Sequence, residues 1–106
     1  MSRLKPLIFL GDSLVRLREF PESARQDTGR ELARVQAGND PLDWKPMPTV
    51  GRGVREIRVS DKPGEFQVLY VAKLVDAIYV LHAFHKKTQK TAQRDLDLAA
   101  SRYRQI

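Results

Sequence analysis

The sequence contains no cysteine among its 106 residues. Disulfides and thiolate metal ligands are therefore excluded, and the absence is typical of proteins in a reducing cytoplasm. The first residues also lack the long apolar region of a secretory signal. No apolar run approaches the roughly 20 residues that a membrane-spanning helix requires. We therefore expect a cytoplasmic protein.

Motifs for metal, cofactor and nucleotide chemistry are also missing. The two histidines, His82 and His85, lie three residues apart on a predicted strand, so they point to opposite faces and make a weak metal pair. The segment Gly51-Arg52-Gly53 lacks the Lys-Ser/Thr of a phosphate-binding loop. No basic recognition helix is evident, which disfavours helix-turn-helix DNA readout. We expect no metal and no cofactor.

Acidic residues are outnumbered, because 19 Lys and Arg face 13 Asp and Glu and give a net charge of +6. A balance of this kind favours a polyanionic partner and predicts binding that weakens with salt. Nucleic acid or an acidic protein fits this charge better than no partner at all. A merely basic, soluble domain remains the alternative.

The length and the apolar content indicate one domain that spans residues 1–106. The chain is 42% hydrophobic and its apolar residues fall in patterned blocks, so we expect one folded core and no disorder. A chain of this length buries about two-thirds of its unfolded surface, which leaves little for a second lobe.

The first third of the chain predicts one strand and two helices. The apolar run Leu7–Leu10 ends at a glycine and is typical of a short strand. A helix is expected from Asp12 to Phe20, and a second from Glu22 to Ala37, separated by Pro21. The two helices together indicate a helical hairpin.

The remainder predicts a sheet followed by a helix. A Pro-rich stretch at 41–53 excludes a central strand and favours an edge strand or an extended connector near Met47–Val50. Three strands, two reversals and a helix capped by Thr91 follow: strands Val54–Val59, Glu65–Ala72 and Ile78–Phe84, turns at Asp61–Gly64 and Val75–Ala77, and helix Ala92–Arg104. The fold class is therefore α+β.

Arg58 is the first candidate for phosphate chemistry. Cleavage of RNA by its own 2′-hydroxyl needs a base, cations that stabilise the phosphate, and an acid for the leaving oxygen. Arg58 lies on the polar face of its predicted strand together with Glu56, and a guanidinium suits a phosphate. The alternative is a surface arginine paired with a neighbouring acid, such as Glu56.

Cations at the end of the last strand form the second candidate group. Lys86 and Lys87 follow the buried strand directly, and Lys90 extends the basic run. Neighbouring ammonium groups disfavour each other's charged state, so one of the lysines is a candidate for proton transfer. His85 is a candidate acid or base because histidine titrates near neutral pH. A solvated charge run is the alternative for the lysines.

Two further residues have an expected role. His82 shares a predicted face with Ile78 and Val80, so we expect a core histidine. Lys45, next to Trp44, is placed to reach a phosphate, while the tryptophan either stacks on a base or anchors the core; we favour the core.

Several segments together resemble the phage-derived, HigB-like toxins of the RelE/ParE superfamily of type II toxin–antitoxin systems. The resemblance covers almost the whole chain: Lys5–Gly11 with the helix after it, Asp43–Met47, Val54–Val59, Gly64–Lys73, Ala77–Thr91 and the terminal helix. The Val-x-Glu-Ile-Arg and Phe-x-Lys-Lys-Thr segments are its most specific parts.

The resemblance implies a fold and an activity. A helical hairpin would pack on a small, curved, mostly antiparallel sheet, and the protein would cleave mRNA without metal, often at the ribosome. It implies RNA cleavage by Arg58, Lys86 and Lys87 with His85 as an addition. The implied RNA-binding residues are Lys45, Gln67 and Lys90, and the implied partner is a helix-turn-helix antitoxin.

The chain departs from the family at one position of this implied site. Gln67 stands where relatives commonly carry arginine, so one charge-assisted phosphate contact would be lost. Two other functions remain open: a ParE-like gyrase inhibitor that works by protein contact, and an RNA-binding domain without enzymatic activity.

Overall fold

The secondary structure comes from a computed structural model, which describes residues 4–62, 64–72 and 76–106. These residues form five strands and three helices: β1 Leu7–Phe9, α1 Ser13–Arg18, α2 Glu22–Gln36, β2 Trp44–Pro46, β3 Val54–Asp61, β4 Gly64–Val71, β5 Ile78–Lys86 and α3 Gln93–Tyr103. The predicted α+β class is confirmed.

The strands form one mixed sheet in the order β1-β5-β4-β3-β2. Strand β1 pairs with β5 in parallel, and the other three pairings are antiparallel. The register matches Leu7–Phe9 only to Ile78–Val80, so β5 extends well beyond its short neighbour. The second half of β5 therefore runs along the outer edge of the sheet.

Each face of the sheet has its own apolar core. On one face, which we call the α1–α2 face, helices α1 and α2 pack through Leu17, Phe20, Ala24, Leu32 and Val35. On the other, which we call the α3 face, helix α3 packs through Leu96, Ala99, Ala100 and Tyr103. The alternation of β3 and β4 explains this division, since successive side chains point to opposite faces.

A β-bulge in β5 changes the faces on which its residues lie. Tyr70 pairs with Val80 but Leu69 pairs with His82, so Leu81 is an extra residue in the ladder. His82 therefore lies on the α3 face, opposite Leu69. The expectation that it shares a face with Val80 was wrong, although the expectation of a buried histidine is confirmed.

Other differences from the predictions concern element ends. The edge strand lies at Trp44–Pro46 and not at Met47–Val50, and β5 continues past Phe84 to Lys86. Ala92, and not Thr91, is the N-cap residue of α3, without a side-chain cap bond. The reversals at 61–64 and 75–77 lie partly outside the described residues.

Arg102 connects three elements at the α3 face. Its guanidinium donates one hydrogen bond to the Leu81 carbonyl in the bulge, at 2.9 Å, and another to the Asp12 carboxylate just before α1, at 2.6 Å. Gly11 turns the chain here with a φ of 56°, and a Cβ at Gly11 would collide with this guanidinium. One buried arginine thus fixes α3 against the bulge and the start of α1.

Candidate functional site

A group of polar side chains interrupts the apolar α3 face of the sheet. We call this group the polar patch: it comprises Lys45 on β2, Glu56 and Arg58 on β3, Gln67 on β4 and Lys86 on β5. Four adjacent strands contribute to it, so its residues are distant in sequence and close in the sheet.

The strand register places the polar patch on one face. Lys45 pairs with Glu56, and Arg58, two residues further along β3, pairs with Gln67. Lys86 pairs with the residue two before Gln67 on β4. Residues directly opposite each other, and residues two apart on a strand, share a face. Arg58 and Lys86 therefore lie on the same side of the sheet.

Glu56 is fully buried at the centre of the polar patch. Neither of its carboxylate oxygens has a hydrogen-bond partner among the described residues, and the nearest cation is the Lys45 ammonium, 3.9 Å from Oε1. Burial raises the pKa of Glu56, and the positive charges of Lys45, Lys86 and Arg58 oppose that rise. The site thus contains a buried carboxyl group that lies 3.9 Å from one ammonium group and is hydrogen-bonded to no described residue.

Gln67 is also fully buried, and its amide nitrogen and oxygen have no partner among the described residues. It lies beside Arg58 across the β3–β4 ladder. The implied RNA-binding role of Gln67 therefore has no exposed atom to support it in this state of the protein. Buried polar groups without partners are uncommon in folded proteins and concentrate at functional sites.

Arg58 is half-buried and bound to an acid, Asp43, for which the sequence predicted no role in the site. Its Nε and Nη2 donate hydrogen bonds to Asp43 Oδ1 at 3.1 and 2.9 Å. Its backbone N–H also bonds to the Asp43 carbonyl at 2.9 Å. The alternative expectation of a paired arginine is thus correct in kind, but the partner is Asp43 and not Glu56. An incoming phosphate would have to replace this exposed carboxylate.

The lysines after β5 line a cleft beside the polar patch. This cleft has a volume of about 730 Å³ and runs between the end of α1 and the start of α3. Lys86, Lys87 and Lys90 line it, and none of them forms an ion pair with any described residue. The strand end therefore presents to a ligand three lysines that have no ion pair within the described chain.

His85 lies on the opposite side of β5 from Lys86. Its ring stacks on Phe66, with 4.6 Å between ring centroids, and Phe66 belongs to the core of the α1–α2 face. The structure thus brings Arg58, Lys45 and Lys86 together but does not bring His85 to them. The histidine remains exposed, at the entrance to the cleft.

His82 is buried on the α3 face and holds the start of α3. Its Nε2 lies 2.8 Å from Asp95 Oδ1, and its ring stacks on Phe84 at 5.0 Å. Burial lowers the pKa of His82, and the Asp95 carboxylate opposes that change. A neutral imidazole therefore joins β5 to the helix that covers the α3 face.

We expect His82→Ala to lower the free energy of unfolding by about 2–4 kcal/mol, because a buried ring and its hydrogen bond are lost. Because the pKa is lowered in the folded state, the unfolded chain binds the proton more readily. The contribution of His82 to the free energy of unfolding is therefore complete above pH 6.5, the ordinary pKa of a histidine. The contribution decreases as the pH falls below this value. Urea unfolding of the wild type and of His82→Ala between pH 5 and 8 measures this contribution.

His85→Ala is the matched control, with an expected loss of unfolding free energy below about 1 kcal/mol, since His85 is exposed. A stable but inactive His82→Ala protein would contradict the structural role.

Two residues of the site, Glu56 and Asp43, were not predicted from the sequence. Glu56 was considered only as a neighbour of Arg58, although its position two residues earlier already placed it on the same face. Asp43 carried no such signal, because it precedes an edge strand that was expected elsewhere.

Two negative findings apply to the described ranges 4–62, 64–72 and 76–106. No group of three or more His, Asp or Glu side chains is placed to hold a metal ion there. Within the same ranges, no helix has the length and hydrophobicity needed to cross a bilayer.

This geometry defines a class of protein. The class is a small α+β domain with a cation-rich polar patch on the α3 face of a five-stranded sheet. The chain belongs to the family of phage-derived Gp49-like proteins (DUF891), whose family model matches residues 16–104. Membership of this family is compatible with a toxin-like role. No curated protein matches the chain.

Proposed function

We propose that this protein is the toxin of a type II toxin–antitoxin system and cleaves mRNA as an endoribonuclease. The observation that carries the proposal is the convergence of Lys45, Arg58 and Lys86 from three strands on one face. Three cations on a rigid sheet provide a site for a phosphodiester, whose charge increases during cleavage.

The proposed reaction uses the 2′-hydroxyl of the RNA as the nucleophile. The 2′ oxygen loses its proton to a base and attacks phosphorus, the bond from phosphorus to the 5′ oxygen breaks, and an acid protonates that oxygen. Arg58 would leave Asp43 and bind the non-bridging oxygens, with Lys45 and Lys86 beside it. Lys87 is the candidate for proton transfer at the strand end. The products are a 2′,3′-cyclic phosphate and a 5′-hydroxyl.

The proposal includes partners as well as a substrate. The net charge of +6 favours a polyanion, and the lysines of the cleft extend the basic surface beyond the polar patch. We propose mRNA, in association with the ribosome, as the substrate, and a helix-turn-helix antitoxin as the protein partner. The reaction is proposed to need neither metal nor cofactor.

The test is to incubate the purified protein with a defined mRNA, with and without ribosomes, and to add EDTA only to the reactions without ribosomes, because intact ribosomes need Mg²⁺. We expect cleavage that resists EDTA, together with cyclic phosphate and 5′-hydroxyl ends on the products. Intact mRNA that remains tightly bound would indicate an RNA-binding domain. Intact mRNA together with stalled gyrase would indicate a gyrase inhibitor.

Lys87→Ala should abolish growth arrest on induced expression and leave the melting temperature within about 2 °C of wild type. Lys87 is exposed and has no ion pair with a described residue, so its loss costs the fold little. Lys5→Ala is the control, because Lys5 precedes β1 beside the start of β5, whereas Lys87 follows the end of β5. Full toxicity of Lys87→Ala would show that the strand-end lysine has no role in cleavage.

A further inference from the structure

We propose that Glu56 is a buried counter-ion that positions Lys45 and Lys86 over the polar patch. The role rests on the proposed function, because the positioned lysines matter through the RNA they bind. Glu56 itself is covered and would act through the lysines, which makes it a positioning residue and not a catalytic one.

Glu56 lowers the stability of the fold in its present surroundings. A carboxylate with no exposed surface and no hydrogen-bond partner in the described chain is unfavourable to the fold. A leucine or a glutamine at this position would avoid burying a charge. Groups of this kind are found where a function requires them.

Charged residues from four strands act on Glu56. Each strand of this part of the sheet contributes a charge that acts on its carboxylate: Lys45 from β2, Arg58 from β3, Glu65 from β4 and Lys86 from β5. Three of the four are cations. The arginine is already bound to Asp43, so the two lysines are the cations left to Glu56.

The lysines approach Glu56 from opposite directions. Lys45 is its direct neighbour across the β2–β3 ladder, with 3.9 Å between Nζ and Oε1. Lys86 lies two strands away in the sheet order, yet its charge acts on the same carboxylate. The Lys45 ammonium therefore lies next to the buried carboxyl group, and Lys86 shares its face of the sheet from the other side.

Central positioning matters because lysine side chains are flexible. Fixing such a chain costs about 2 kcal/mol of side-chain entropy, and an anion beneath the two ammonium groups reduces the freedom they must lose when a phosphate arrives. The phosphate then meets cations that are already held on one face of the sheet. This is the same benefit that preorganised dipoles give in other active sites.

The proposal predicts opposite effects of E56Q on binding and on cleavage. Removing the negative charge leaves the patch more positive, so RNA should bind about two- to fivefold more tightly at low salt. The lysines lose their common anion, so kcat should fall at least about tenfold. A mutation that merely disturbed the fold would weaken both.

Binding is measured with a 12-nucleotide 2′-O-methyl RNA, which cannot be cleaved, and kcat with the unmodified RNA of the same sequence. E56D keeps the negative charge, so its kcat should lie between those of E56Q and the wild type. The matched control is E22Q, because Glu22 is an exposed acid in the first turn of α2 on the other face. E22Q changes the net charge by the same amount and should leave kcat unchanged.

A second readout needs no RNA. Lys45→Met removes the cation nearest to Glu56 and should lower the melting temperature by about 4–8 °C in the wild type, because the buried charge loses its neighbour. In the E56Q background the same change should cost less than about 2 °C, since no buried charge remains.

Equal costs of Lys45→Met in both backgrounds would overturn the proposal, and so would an E56Q protein with unchanged kcat and unchanged RNA affinity. If the wild type cleaves no RNA but the two backgrounds differ as expected, the proposed nuclease function fails and the counter-ion role stands.

Discussion

Replacing Arg58 by glutamine is expected to lower the rate constant of RNA cleavage by about 10²- to 10³-fold, the loss that follows removal of one charge-stabilising donor from an active site. Its guanidinium lies on the α3 face beside Lys45 and Lys86 and provides the planar donor pair that suits a phosphate. Stability should change by less than about 1 kcal/mol, because the ion pair with exposed Asp43 is at the surface. Single-turnover cleavage and urea unfolding measure the two effects.

The strand itself supplies the control. Arg55 lies on the opposite face of β3, stacks over the Trp44 ring at 4.0 Å and pairs with Asp40 at 2.8 Å. Arg55→Gln therefore removes the same group and a similar ion pair from the same strand but outside the polar patch. Cleavage should stay within about threefold of wild type. Equal losses of cleavage in the two variants would show that the net charge of the protein determines the activity, and not the position of the arginine on the α3 face.

A loss of stability as large as that of His82→Ala is expected from Arg102→Met. We expect the free energy of unfolding to fall by about 2–4 kcal/mol, because the Leu81 carbonyl in the bulge loses its donor and Asp12 loses its cation. The expected loss is smaller than for a fully buried ion pair because the Asp12 side chain is 43% exposed. Methionine keeps most of the apolar volume, so the loss reports the hydrogen bonds.

Acid titration distinguishes this role from simple packing. The hydrogen bond from Arg102, aided by the one from Arg16, lowers the pKa of Asp12 below its ordinary value of 3.8, against the effect of burial. The stabilisation is therefore complete above that value and is lost as the pH falls through the lowered pKa. The variant should lack this part of the acid dependence. An unchanged acid profile would contradict the assigned contact.

Much of the sheet follows from the sequence because alternation and turn residues are local signals. The period of two in Val54–Val59 and the apolar run Ile78–Phe84 predicted β3 and β5, and the same parity placed Glu56 with Arg58. The sequence also placed Lys86 at the end of β5, because polar residues follow the apolar run Ile78–Phe84. Only the pairing of β3, β4 and β5 could show that these residues share a face.

The remaining features depend on contacts between distant residues. The extra residue Leu81 in β5 has no turn or glycine signal, yet it moves His82 to the α3 face and separates His85 from the site. Asp43 meets Arg58 only because β2 pairs at Trp44 and not later in the Pro-rich stretch. The short parallel strand β1 is likewise fixed by tertiary pairing. The expected helical hairpin stays a prediction.

The central claim, that RNA binds the α3 face through the polar patch, is tested most directly by the arginine side-chain NMR signals of ¹⁵N-labelled protein titrated with a 2′-O-methyl RNA. The Nε–H signal of Arg58 should move as the guanidinium exchanges the Asp43 carboxylate for a phosphate. The Nε–H signal of Arg55, over the Trp44 ring on the other face, should stay in place. Movement of the Arg55 signal with Arg58 unchanged would contradict the claim.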